Sequence, residues 1–74
     1  MDSNRFGEKI RTLRKQHGLT IKQLADILGI KSTGYITDIE NGNKKNPSTA
    51  ILLKISHFFD VSIDQLLKDD LELD

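Results

Sequence analysis

The sequence predicts an all-α fold, a compact five-helix domain, and three observations carry that expectation. Apolar residues recur at three- and four-residue spacing through most of the chain, as one face of a helix requires. Two helix starts are spelled out in full by capping-box and staple residues. No stretch alternates apolar and polar residues in the way a half-buried strand does.

Length and composition set the frame. Seventy-four residues with 36% hydrophobic content allow one small domain and no second core. Its total stability is expected at about 4–11 kcal/mol from the usual per-residue range. No apolar run approaches the length of a bilayer span, and the opening residues MDSNRFGEKI contain no signal-peptide core. A soluble, cytoplasmic protein is the expectation. Cysteine is absent and the two histidines stand far apart without flanking ligands, so no metal and no cofactor is expected. The sequence holds no nucleophile–base pair, carboxylate cleft or phosphate-cradling glycine loop, and an enzyme is not expected.

The first helix is read from Asn4 to Gln16, with Phe6, Ile10 and Leu13 on one face and Gly18 closing it. Asp2, Ser3 and Asn4 are alternative caps. Arg14 lies beside Leu13 at the edge of the apolar face, and His17 suits the negative end of the helix dipole.

The stretch Leu19–Gly42 organises the rest. Ile21, Leu24, Ala25 and Leu28 form one apolar stripe. Thr20 and Gln23 make a capping box, and Leu19 with Leu24 a hydrophobic staple. Gly29 can take the positive φ that ends such a helix. The next helix, about Thr33 to Asn41, has only Ile36 and Ile39 to bury. Its other positions, Thr33, Gly34, Tyr35, Thr37, Asp38 and Asn41, are small or polar. A short helix held by a narrow apolar edge and presented outward has the form of an element that enters the DNA major groove.

A polar connection, NKKNP, leads to a fourth helix from about Ser48 to Phe59, with Leu52, Ile55, Ser56 and Phe59 facing inward. Ile51, Ile55 and Phe58 line up as a second apolar edge. Ser62 with Gln65, and Val61 with Leu66, repeat the box and staple for a fifth helix running to about Lys68. The domain is taken as residues 1–69, followed by an acidic tail over 70–74 that is expected to fray. The formal net charge is zero. Divided by position, residues 1–47 hold nine Lys/Arg against five acids and residues 48–74 hold two against six, so a +4 half is joined to a −4 half. That asymmetry fits a DNA-facing half and a half turned away from it, or merely a solvated surface with an acidic tail.

The blocks R-K-x-x-G-L-T, L-A-x-x-L-G-I, Y-I-x-x-I-E-N-G, N-P-S and V-S-I-D-x-L-L occur in that order over about residues 5–67. In this arrangement the chain resembles the XRE/Cro-type helix-turn-helix domains of phage and bacterial repressors, a lambda-repressor-like fold. The segment NPSTAILLKISHFFDVSIDQLL is particularly similar to SinR-type repressors of Gram-positive bacteria. The resemblance implies a sequence-specific regulator of transcription, a repressor, that places the helix at about residues 33–41 in the major groove of a double-stranded operator. It implies a structural ion pair between Arg14 and Glu40. It also implies that the start of the second helix, at Thr20 and Ile21, lies close to a phosphate.

Two departures stand out. The turn between Gly29 and Tyr35 is one residue longer than the family's usual four, which leaves open which of Lys31, Ser32, Thr33 and Gly34 occupies the first exposed turn of the recognition helix. Ile21 and Asp38 stand where many members carry Gln, or Gln or Arg. Ser32, Thr33, Gly34, Thr37 and Asp38 are the candidate base readers, with Ser32 alternatively only the helix cap. Thr20, Ile21, Lys31, Tyr35, Asn41, Asn43, Lys44 and Lys45 are the candidate phosphate contacts, with Tyr35 alternatively packing beneath the helix. Affinity from so small a module favours a homodimer on DNA, for which Ile51, Ile55, Phe58, Leu71 and Leu73 are the candidate surface; the alternative is that the fifth helix covers this edge within one chain. The remaining alternative function is a protein-interaction module of the same fold, an antitoxin or a component bound by an antirepressor, so a protein antagonist is a second kind of partner.

Overall fold

A computed structural model describes residues 5–43, 47–68 and 72–73. Five helices follow one another: α1 Phe6–Gln16, α2 Ile21–Leu28, α3 Thr33–Glu40, α4 Thr49–Phe59 and α5 Ile63–Leu67. Among the described residues there is no strand. No helix there is long and apolar enough to cross a membrane.

The apolar stripes read from the sequence converge on one core. Phe6, Ile10 and Leu13 of α1, Leu24, Ala25 and Leu28 of α2, Ile36 and Ile39 of α3, Ile55 and Phe59 of α4 and Leu66 of α5 are all buried together. Leu19, Ile21, Ile30, Tyr35, Ile51, Leu52, Val61 and Leu73 pack around that cluster. α3 lies against α1 and α2, while α5 lies against α1 and α4.

Both capping boxes form. The Gln23 amide donates to Thr20 Oγ1 at 3.1 Å and the Thr20 amide to Gln23 Oε1 at 2.8 Å. Ser62 and Gln65 repeat this at 2.9 Å in each direction. Gly29 ends α2 at φ 73°, where its N–H and that of Ile30 close the last carbonyls of the helix.

Two features of α1 fix how the other helices meet it. Gly7 is buried where α1 crosses the end of α3: a Cβ there would collide with the Ile39 carbonyl oxygen and stand 2.8 Å from that of Glu40. Lys9 is 3% exposed, and its ammonium donates to the carbonyls of Gln65 and Lys68, closing the C-terminal end of α5. The terminal residues join the same corner. Gln65 Nε2 donates to the carbonyls of Glu72 and Leu73, and Arg5 makes a two-bond contact with the Glu72 carboxylate at 3.2 and 3.3 Å.

The proposed second apolar edge of α4 needs correction. Ile55 is fully buried in the core, Ile51 is half-buried against it, and Leu73 packs on it from the C-terminal side. α5 packs against α4 and inserts Leu66 into the same cluster, in line with the within-chain alternative for Ile51 and Ile55. Of the candidate dimer residues described, only Phe58 is exposed, at 41%, with its ring against His17 and Phe59. Leu71 lies outside the described residues.

Candidate nucleic-acid interface

At 3.6 residues per turn, Thr33, Thr37 and Asn41 rise along one line of α3, with Gly34 and Asp38 beside them. Thr33, Gly34, Asp38 and Asn41 are exposed and Thr37 is half-buried. Ile36, Ile39 and Glu40 are buried on the opposite side. One arc of the helix is fixed in the protein and the other is offered to solvent as a small, polar ridge.

The fixed arc is held by charge as well as by packing. Glu40 has 2% of its side chain exposed, and it accepts from Arg14 Nε at 2.7 Å and Arg14 Nη2 at 3.1 Å, a two-bond fork. The same arginine donates from Nη1 to the Leu19 carbonyl at 2.9 Å, so one guanidinium ties α1 to α3 and to the residue before α2. Hydrogen bonding to Glu40 holds the Arg14 guanidinium above its ordinary value, against the opposing effect of burial, with the charge of Glu40 adding a lesser push in the same direction. The ion pair implied by the family resemblance is present.

Arg11 was not anticipated. Its Nε donates to Glu40 Oε1 at 3.3 Å and its Nη2 to Asn41 Oδ1 at 3.1 Å. The available signal was position, since Arg11 stands three residues before Arg14 and so shares its side of α1. A guanidinium only donates, so the carboxamide oxygen of Asn41 must face it and the amide NH2 turns elsewhere.

The open question at the turn has an answer in the backbone. α3 begins at Thr33, so Thr33 and Gly34 occupy its first turn and Lys31 and Ser32 precede it. Ser32 has the extended backbone of a cap but makes no side-chain capping bond. Tyr35 is half-buried against the core, which is the packing alternative read for it. Thr37 Oγ1 donates to the Thr33 carbonyl at 3.3 Å, committing the hydroxyl proton to its own helix. Thr20 and Ile21 stand at the start of α2, where the capping box takes up the amides of Thr20 and Gln23 and that of Ile21 precedes the first bond within the helix. Lys31 and Asn43 are exposed. Lys44 and Lys45 lie outside the described residues.

A helix-turn-helix family model (HTH_3) matches residues 10–66. The HTH-type transcriptional regulator SinR of Bacillus licheniformis is 37% identical over 71 residues, which cover 93% of this chain and 63% of that protein. The chain thus spans less than two thirds of this relative's length. The N-terminal DNA binding domain of SinR from Bacillus subtilis is similar at a TM-score of 0.78 and 34% identity, covering 92% of this chain and 97% of that one. The crystal structure of SinR, the master regulator for biofilm formation, in complex with DNA is similar at a TM-score of 0.73 and 34% identity over 82% of this chain and 95% of that one. With its capped helices, its turn and most of its length matched, the chain belongs to the helix-turn-helix family, of the XRE/Cro type that its motifs resemble.

Proposed function

We propose that this chain is a sequence-specific double-stranded-DNA-binding domain of a transcriptional regulator, acting as a repressor, with α3 lying in the major groove. The observation that carries the reading is the two-sided character of α3: an inner arc of Ile36, Ile39 and Glu40 anchored in the fold, and an outer arc of small and polar residues. A major groove about 12 Å wide admits such a helix edge-on. The likeness to a SinR structure in complex with DNA supports it.

In this arrangement Thr33, Gly34, Thr37 and Asp38 face base edges, with Ser32 at the entrance to the helix. Thr37, its hydroxyl proton turned inward, offers chiefly its methyl group, which suits a thymine methyl. The first-turn amides of α2 at Ile21, the hydroxyl of Thr20, the side chains of Lys31, Asn41 and Asn43, and Lys44 with Lys45 take the phosphates. Asn41, steered by Arg11, presents its NH2 as the donor. Two copies bind adjacent half-sites, because one module covers little duplex surface.

Titration of a random-sequence duplex at rising salt tests the reading. Binding should weaken linearly on logarithmic axes, with a slope of about −0.9 per phosphate neutralised. No binding at low salt would reject it in favour of a protein-interaction module of the same fold. Sedimentation with and without an enriched operator tests the pairing, and a strictly monomeric species in both would remove it.

A further inference from the structure

Two observations on the outer arc of α3 are unexplained by folding. The first is Gly34. Its φ lies outside the left-handed region, and a Cβ placed there would meet only Ser32 Oγ, at an ordinary 3.4 Å. Alanine would fit and is the better helix former, so the fold does not require glycine here. The second is Asp38, the one charged side chain on this arc and four residues from Gly34, hence directly above it on the helix surface. Among the described residues no side chain donates to its carboxylate. A bare acid is a poor choice for a surface that approaches phosphates unless it is aimed at a donor.

We propose that Asp38 is the specificity-determining residue of α3 and reads a cytosine in each operator half-site, the missing side chain at Gly34 opening the space through which it reaches the base. The inference rests on the DNA-binding reading given above. In the major groove only cytosine N4 and adenine N6 donate hydrogen bonds, and only these can satisfy a carboxylate. Adenine sets the N7 acceptor beside its amino group, which repels a carboxylate. Cytosine has a C–H there instead, so the acid discriminates in its favour. Guanine, with acceptors at O6 and N7, is disfavoured, and no Arg or Lys stands on the outer arc to read it. The carboxylate also weakens contact with any duplex that lacks the donor, because it is left facing phosphates and acceptors.

Selection of bound duplexes from a random pool, by the wild-type chain and by Asp38→Asn and Asp38→Ala variants at one salt concentration, tests this. The wild type should enrich a half-site with one strongly preferred cytosine, and replacing that base by thymine should weaken binding about tenfold, toward the lower end of the range for one specific base contact. Asp38→Ala should lose the preference at that position and keep it elsewhere. Asp38→Asn should move it to adenine, whose N6 and N7 an amide matches with two bonds. Thermal midpoints equal to the wild type's establish that the exposed substitutions leave the fold intact. Identical preferences for the wild type and both variants would overturn the assignment while leaving the DNA-binding reading standing. A wild-type chain that enriches nothing would overturn both.

Discussion

Arg14 and Glu40 meet in a two-bond fork, 2.7 and 3.1 Å long, at the seam where α1 crosses the end of the outward-facing helix. Glu40 is enclosed, so removing its main partner strands a buried carboxylate. Arg14→Ala should therefore cost about 3–5 kcal/mol, a large share of the stability of a domain this small. Denaturant unfolding checks it, and an unchanged midpoint would mean that Arg11 alone satisfies the acid. Arg14 itself contributes no pH dependence in the working range. Its folded-state value is raised, so its stabilisation is complete below the unfolded value and is lost only as the pH rises through the folded one, in strong alkali.

The two glycines inside helices should respond to alanine in opposite ways. Gly7→Ala drives a methyl group into the carbonyls of Ile39 and Glu40, and overpacking of this kind costs about 1–3 kcal/mol or more. Gly34→Ala meets no obstacle and should stabilise the domain by roughly 0.5–1 kcal/mol. In an electrophoretic assay the same Gly34→Ala variant should bind its selected operator more weakly. A variant that is both more stable and equally tight would show that the open space at residue 34 has no part in binding.

Lys9 serves α5 as a distant C-cap. Lys9→Met keeps the apolar stem but leaves the carbonyls of Gln65 and Lys68 without that donor, at a cost of about 1–3 kcal/mol. Faster amide exchange confined at first to α5 would be the local signature. Uniform loss of protection across all five helices would instead place Lys9 in the global core.

The Arg5–Glu72 contact should be acid-labile. Hydrogen bonds from Arg5, and then its charge, hold the Glu72 carboxyl below the usual carboxylate range. A depressed folded-state value means that the contact contributes fully above the unfolded value and is lost as the pH falls through the folded one. The pair is solvent-exposed, so its energy is small and salt-sensitive. An NMR titration should show residues 72 and 73 leaving Arg5 and Gln65 together in acid, and Glu72→Gln should abolish the transition.

Periodicity and caps made most of the fold legible. Thr20, Gln23, Ser62 and Gln65 are recognisable because a helix start needs particular side chains at fixed offsets, and both boxes form as read. Arg14 with Glu40 was implied by family resemblance and not by spacing, since nothing local links residues 26 positions apart. Lys9 was hidden by its residue type. It stands three residues after Phe6 and four before Leu13, squarely on the apolar face, but a lysine there reads as solvent-facing until the carbonyls of α5 are seen above it. Ile55 belongs to both of two overlapping apolar alignments on one helix, the inward face and the proposed outer edge, and it is buried on the first. Only the placement of Leu66 decides which of them is covered. The start of α3 at Thr33 was open for a similar reason: with an extra residue in the turn, several registers keep Ile36 and Ile39 buried.

Glu40 and Gly7 secure α3 at its C-terminal root, whereas Ser32 leaves the opposite tip without a side-chain bond. The helix is thus mounted like a cantilever. On the proposed DNA-binding reading, side chains beside the root, Asp38 and Asn41, are the better fixed, and operator positions beneath them should tolerate less sequence variation. Positions under Thr33 and Ser32, at the end without a capping bond, should accept more degenerate base pairs.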